Sequence, residues 1–297
     1  MKNKRRIIDK QDRLFYIVCY AIAAVLTLIV LYPVIFIVSA SFSNADRLVT
    51  GDVWLWPVEF DLKAYKSLFD YKNVWIGYGN TIFYTVVGTL INIVVTLICA
   101  YPLSRKNLRG RSVIMFMFTF TMLFDAGMIP NYILVKNLGL IGSRWAVILP
   151  KALNVYNMIV CRTFIQSNVP DELWESAQID GCSNTQFFFR MVLPLIKPII
   201  AVLALWYGVS HWNSYFSAFM YLKDTDMYPL QLFLKEILVQ SARLGETSDF
   251  TNVAQGANLA VAIKYAVIVV SSAPLMCLYP FVQKHFRHGV LVGSVKG

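Results

Sequence analysis

Charge is what this sequence has least of. Only 15% of its 297 residues are Asp, Glu, Lys or Arg, whereas 57% are hydrophobic and the mean hydropathy is +0.56. Soluble domains carry about 25% charged residues, so an ordinary water-facing surface is excluded. Histidine is scarce as well, and His211, His285 and His288 do not make a metal site. No His-Glu-x-x-His cluster and no Ser–His pair at useful spacing is present, so nothing supports a membrane enzyme. The Gly-x-x-x-x-Gly-Lys-Ser/Thr phosphate loop is also missing, so the chain cannot hydrolyse ATP alone. Five cysteines (Cys19, Cys99, Cys161, Cys182 and Cys277) show no Cys-x-x-Cys spacing and are odd in number. They read as small apolar packing residues.

What the sequence does have is long apolar runs. About 20 such residues cross a bilayer core of roughly 30 Å as a helix. Six runs qualify, near 14–38, 79–101, 112–130, 143–164, 199–221 and 263–283. They predict an all-α membrane protein of six transmembrane helices. Its six-helix domain spans 14–283, between an N-terminal arm, 1–13, and a C-terminal tail, 284–297. The first run follows "KNKRR" and ends in "VSAS", which imitates a secretion signal. Its length exceeds the roughly 7–15 residues of a signal core, so it reads as a retained helix.

Lys and Arg set the orientation. With the N-terminus inside, segments 1–13, 102–111, 162–198 and the tail from 284 are cytoplasmic. They hold 16 of the 27 basic residues and 6 of the 17 acids; the rest of the chain holds 11 of each. The net charge of +10 therefore reads as topology and contact with anionic lipid headgroups, not nucleic-acid binding. On the outer side, 39–78 holds a short amphipathic helix with Leu62, Tyr65, Leu68 and Phe69 on one face. A second follows in "PLQLFLKEILVQ". The "IGYGN" at 76–80 contains a Gly-Tyr-Gly, as potassium filters do. No Thr-Val precedes it and no pore helix leads into it, so its glycines read as a flexible turn opening the second span.

One polar stretch interrupts the oil: "WESAQIDGCSNTQFFFRMVLPLIKP", within the cytoplasmic loop 167–198. Pro170 suits a helix start and "DELWESAQ" places acids where the helix dipole favours them. Asp180-Gly181 stops that helix with a left-handed cap. Ser183 or Asn184 caps a second helix, "TQFFFRMVL", which Pro194 ends. Two short helices at an angle, fixed to spans on both sides, suit docking into a partner's groove. The same residues suit a solvated surface hairpin equally well.

The stretch "ESAQIDGCSNTQFFFRMVLPLIKP" resembles the E-A-A-x-x-D-G signature of permease subunits of bacterial ABC importers. Glu175, Ala177, Asp180 and Gly181 match it, as do Phe188, Leu193 and Pro194. Ser176 and Cys182 depart from the usual alanines but stay small. "GMIPNYILVKNLGLIGSRWAVILP", "HWNSYFSAFMYLKDTDMYPLQLFLKEIL" and "YPFVQKHFRHGVLVGSVKG" resemble the carbohydrate-uptake branch of this binding-protein-dependent transport inner membrane component family. They are similar to oligosaccharide permeases of the LplC/YtcP kind.

The resemblance implies a type I importer permease fold whose loop, 170–194, is the coupling helix of an ATP-binding subunit. By it, Glu175 faces that subunit, Gly181 permits the turn and Phe188 anchors the second helix. It further implies a second, homologous permease, two ATP-binding subunits that hold ATP and Mg, and an extracytoplasmic solute-binding protein. This chain itself would have no cofactor and no catalytic residue. It would sit in the cell membrane with both termini cytoplasmic. An ion channel, or a transporter not driven by ATP, is the alternative class.

A substrate path is read from the fifth run, "IIAVLALWYGVSHWNSYFSAFMYL". As one helix it places Trp206, Ser210, Asn213, Ser214 and Ser217 on a stripe, with His211 beside it. Hydroxyls, an amide and an aromatic face suit an oligosaccharide, and Asn213 leads these candidates. Small serines also simply permit close helix packing. Asn157, with Tyr156, either faces the cavity or caps a packing contact, and Asn92 bonds between helices. Asp125, Lys151 and Lys264 lie near span ends and read as structural.

Overall fold

The computed structural model describes residues 10–246 and 251–289. The described residues form helices joined by turns and loops, with no strand among them. The chain opens with α1 (Lys10–Ser41), α2 (Ala45–Val49), α3 (Lys63–Asp70) and α4 (Lys72–Ser104). It continues through α5 (Arg111–Leu123), α6 (Met128–Asn137), α7 (Trp145–Ile148), α8 (Val155–Asn168) and α9 (Asp171–Ile179). Then come α10 (Asn184–Phe187), α11 (Leu193–Leu195), α12 (Lys197–Trp212) and α13 (Phe216–Tyr221). The last two are α14 (Leu230–Glu246) and α15 (Thr251–Gly289).

The six apolar runs do not become six straight helices. Among the described residues, three stretches are long and apolar enough to cross a membrane unbroken: Arg13–Ser41, Lys72–Ser104 and Asn258–Cys277. The number rises to five if each of two bent pairs counts as one span. The run 112–130 is bent by 115° between α5 and α6. There the Asp125 carboxylate accepts from the Gly127 N–H at 3.0 Å, and Pro130 lies in the first turn of α6. The run 143–164 is interrupted by a 3-10 turn, Leu149–Lys151, holding Pro150. Asn154 then caps α8 anew, accepting from the Asn157 N–H at 3.0 Å. The run 199–221 stops at Trp212 and resumes at Phe216. Hydropathy averages over a window and does not register such breaks.

Backbone contacts divide the chain into two compact units, Met1–Asp70 with Ile237–Ser271, and Tyr71–Glu236 with Ser272–Gly297. In the first, small residues bring helices together: Ala40, Ala64, Ala262 and Ala266 are buried with Leu48 and Val53. Phe36 meets Tyr265 edge-on at 5.7 Å, and the Tyr65 hydroxyl donates to Ser41 Oγ at 2.8 Å. Of the amphipathic face expected in α3, Leu68 is buried, whereas Phe69 and the preceding Leu62 are exposed.

In the second unit α4 is the central post, packed against α8 and α12. The Gly-Tyr-Gly lies wholly inside α4, which corrects the expected flexible turn. Gly77 is there for space: a Cβ on it would stand 3.0 Å from Leu230 Cα. One face of α4 also supplies polar groups to irregular backbone. Asn80 donates to the carbonyls of Asp226 (2.7 Å) and Tyr228 (3.0 Å), and Tyr84 donates to Met227 (2.8 Å). Thr81 Oγ1 accepts from the Leu230 N–H at 2.8 Å. Broken helices survive at membrane depth only when such partners satisfy the freed backbone.

Candidate functional site

The polar loop folds as two helices, α9 and α10, joined by a tight turn. Pro170 stands immediately before α9, and Asp171 and Glu172 fill its first turn, where the helix dipole favours carboxylates. The helix ends at Ile179, and Gly181 follows with φ +73°, a left-handed conformation that a side chain would strain. Ser183 forms a capping box with Gln186, bonding in both directions. Pro194 does not end the second helix, contrary to expectation. The chain passes through a π-helical turn, Phe188–Val192, into α11, where Pro194 sits in the first turn and needs no donor. The true break is Ile196, and α12 leaves at 77°.

The loop is seated on the C-terminal end of α4. Trp174 and Ala177 of α9 are buried, and Phe187 is fully enclosed, its ring 5.0 Å from Trp174. The Arg105 guanidinium lies over both rings, 5.0 Å from Trp174 and 5.4 Å from Phe187. Lys106 pairs with Asp171 at 2.8 Å, and its ammonium holds the Asp171 carboxyl below the usual range. Arg162 Nε donates to the Leu103 carbonyl at 2.8 Å, which adds α8 to the seat.

The signature residues separate by environment. Ala177 faces inward, so its small size permits the close seat. Glu175, Asp180 and Gly181 are exposed, and among the described residues no ion pair engages Glu175. Phe188 is half-buried, 4.8 Å from the Tyr101 ring, and Leu193 is half-buried with Pro194 exposed beside it. Phe187, the more deeply buried neighbour of Phe188, and Arg105 were not singled out by the sequence. Nor was Ile179, which is 87% exposed. An aliphatic side chain standing in water beside Glu175 and Gln178 marks the outer face of α9 as one a partner would cover.

A second feature is a cavity of about 470 Å³ between α4, α8 and α12. It gathers Asn157, Trp206, Ser210 and His211 from the sequence candidates, and adds Asn92, Lys151 and Asn154. His211 Nε2 and Asn92 Oδ1 are 2.9 Å apart, and the Asn92 amide donates to the Lys151 carbonyl. Tyr207 also lines the cavity, and its hydroxyl shares a hydrogen bond of 2.7 Å with Thr96 Oγ1.

Asn213, Ser214 and Ser217 do not line this cavity. The stripe that joined them to Trp206 assumed a helix through 221, and α12 stops at Trp212. Asn213 is exposed and donates to the Val209 carbonyl at 3.0 Å, in its own last turn. Ser217 is buried, as is Ser214, whose hydroxyl has no partner among the described residues.

Residues 92–292 match the family "Binding-protein-dependent transport system inner membrane component". Two relatives from Bacillus subtilis (strain 168) are each 41% identical to this chain. The polygalacturonan/rhamnogalacturonan transport system permease protein YtcP aligns over 97% of this chain and 100% of its own. Protein LplC aligns over 91% and 90%. A chain of a bacterial ABC transporter crystal structure, involved in import of the acidic polysaccharide alginate, superposes with a TM-score of 0.84. It is 35% identical, covering 94% of this chain and 98% of that one.

Proposed function

Because this chain belongs to the family of binding-protein-dependent transport system inner membrane components, and is the permease of an ABC importer, we propose that it carries an oligosaccharide inward with a partner hydrolysing the ATP. The observation that carries this reading is the seat of α9 and α10 on the end of α4. A loop held there by Trp174, Phe187 and Arg105 cannot shift without moving α4, the post against which α8 and α12 pack. Its outer face, with Glu175, Gln178, Ile179 and Asp180, is exposed to a partner.

In this account two ATP-binding subunits hold ATP and Mg, and each seats a coupling loop in a groove. Their closure on ATP pushes the loop and, through it, α4. Only a ligand that binds one state better can drive such a switch, and closed ATPases supply that difference to a two-state rigid-body motion. A second, homologous permease completes the path, and a binding protein outside delivers the saccharide. The loop and both termini lie on the cytoplasmic side, as the basic residues direct. Trp206 and the amides of Asn154 and Asn157 suit a sugar's CH faces and hydroxyls.

Reconstitution of the assembled transporter in proteoliposomes tests this. Uptake of saccharide from the loaded binding protein should require ATP on the ATPase side. Uptake that proceeds equally without ATP would favour a channel or a transporter of another class.

A further inference from the structure

Lys151 was read from sequence as a structural residue near a span end, yet it lines the cavity. Its position is held from behind. The Asn92 amide donates to its carbonyl, and Asn92 is itself bonded to His211 at 2.9 Å. Pro150 stiffens the turn on one side and the Asn154 cap begins α8 on the other. The backbone that carries the ammonium is therefore fixed at the cavity wall.

Among the described residues, the remainder of that wall carries no carboxylate. Among the described residues, no Asp or Glu forms an ion pair with Lys151. Lys151 is an exposed residue of that wall, so an occupant of the cavity can reach its side chain. Opposite charge is available from an occupant, and the other wall groups specify what kind. Trp206, with the Tyr156 ring 5.9 Å away, offers a flat apolar face. Asn154, Asn157 and Ser210 offer amides and a hydroxyl that donate as well as accept. A neutral sugar would use the ring and the amides and offer the ammonium only hydroxyl oxygens, with no opposite charge. A sugar bearing a carboxylate uses all three.

We propose that Lys151 makes this cavity selective for uronic-acid saccharides, its ammonium holding a sugar carboxylate while Trp206 receives the ring face. The inference rests on the importer reading above and extends it to the class of sugar and the residue that selects it. Selection then occurs in the permease as well as in the binding protein.

The test uses the assembled complex of both permeases and the ATPases, purified without the binding protein so that only the cavity discriminates. Equilibrium binding of labelled trigalacturonate is compared with that of galactotriose, its neutral counterpart. Wild-type complex should bind the acidic trimer about tenfold or more tightly, as for a charge-assisted hydrogen bond. Lys151→Met should remove the preference for the acidic trimer over galactotriose, whereas Lys151→Arg should keep most of it. Equal binding of the two trimers by wild type, or a preference that survives in Lys151→Met, would overturn the proposal. Failure of the importer reading is separate: the wild-type complex would then show no ATP-driven uptake of any saccharide from loaded binding protein.

Discussion

Replacing Arg105 by Ala should uncouple the loop from α4 without unfolding either. The guanidinium covers Trp174 and Phe187, which are 9% and 0% exposed, so both contacts are made largely out of water. Contacts of this type are worth about 0.5–2 kcal/mol each, rising with desolvation. One cation is shared between two rings, so the sum is about 2 kcal/mol, a factor of about 30 in the docked population. Arg105→Lys keeps the charge and loses the planar group that stacks on the rings, so it should recover only part of this. Amide hydrogen exchange of residues 171–179 in the assembled complex reads the docking directly. The ratio of ATP hydrolysed to saccharide moved reads its consequence. Arg105→Ala should exchange faster in α9 and spend more ATP per saccharide. Unchanged exchange together with an unchanged ratio would refute the claim that this stack transmits the motion.

Two further outcomes follow from close contacts. A Cβ at Gly88 would stand 2.5 Å from His211 Nε2, so Gly88→Ala should displace the ring, break its bond to Asn92 and destabilise by about 1–3 kcal/mol. Thermal denaturation of the purified complex should show the loss, and the double variant with His211→Ala should be less destabilised than the two changes added together. Asp171 has a carboxyl lowered from its ordinary 3.8, chiefly by its hydrogen bond from Lys106. Its contribution is complete above the unfolded value and fades only as pH falls through the lowered folded one. Exchange protection of α9, corrected for intrinsic rate, should therefore be flat from about pH 5 to 8. Both partners are well exposed, at 76% and 40%, so Asp171→Asn should change it little.

The parts of the structure legible in the sequence were those written in local chemistry. Pro170, Gly181 and Ser183 fix the ends of α9 and α10 through backbone geometry and side-chain caps, and such signals act over a few residues. What escaped depended on phase or on distant partners. Three phenylalanines in a row, Phe187 to Phe189, give no hint which one turns inward, and the enclosed one proved to be Phe187. Arg105 lies far along the chain from Trp174 and Phe187, the rings it covers, so no local pattern reports it. Asn213 was favoured because a helical wheel cannot show that α12 stops one residue earlier. Lys151 was read as structural from its nearness to a span end, a position along the sequence that does not show which cavity its turn borders. A 3-10 turn and a bond from Asn92 instead set its backbone at the cavity wall.

The central claim is that the outer face of α9 sits in an ATPase and moves with nucleotide. Gln178 lies on that exposed face, so Gln178→Cys, in a chain with Cys182→Ser, places a thiol at the contact. Crosslinking to the copurified ATPase should occur and should change in yield when ATP is added. A thiol that forms no crosslink, and stays open to a water-soluble reagent with or without ATP, would contradict the account and leave the loop a solvated hairpin.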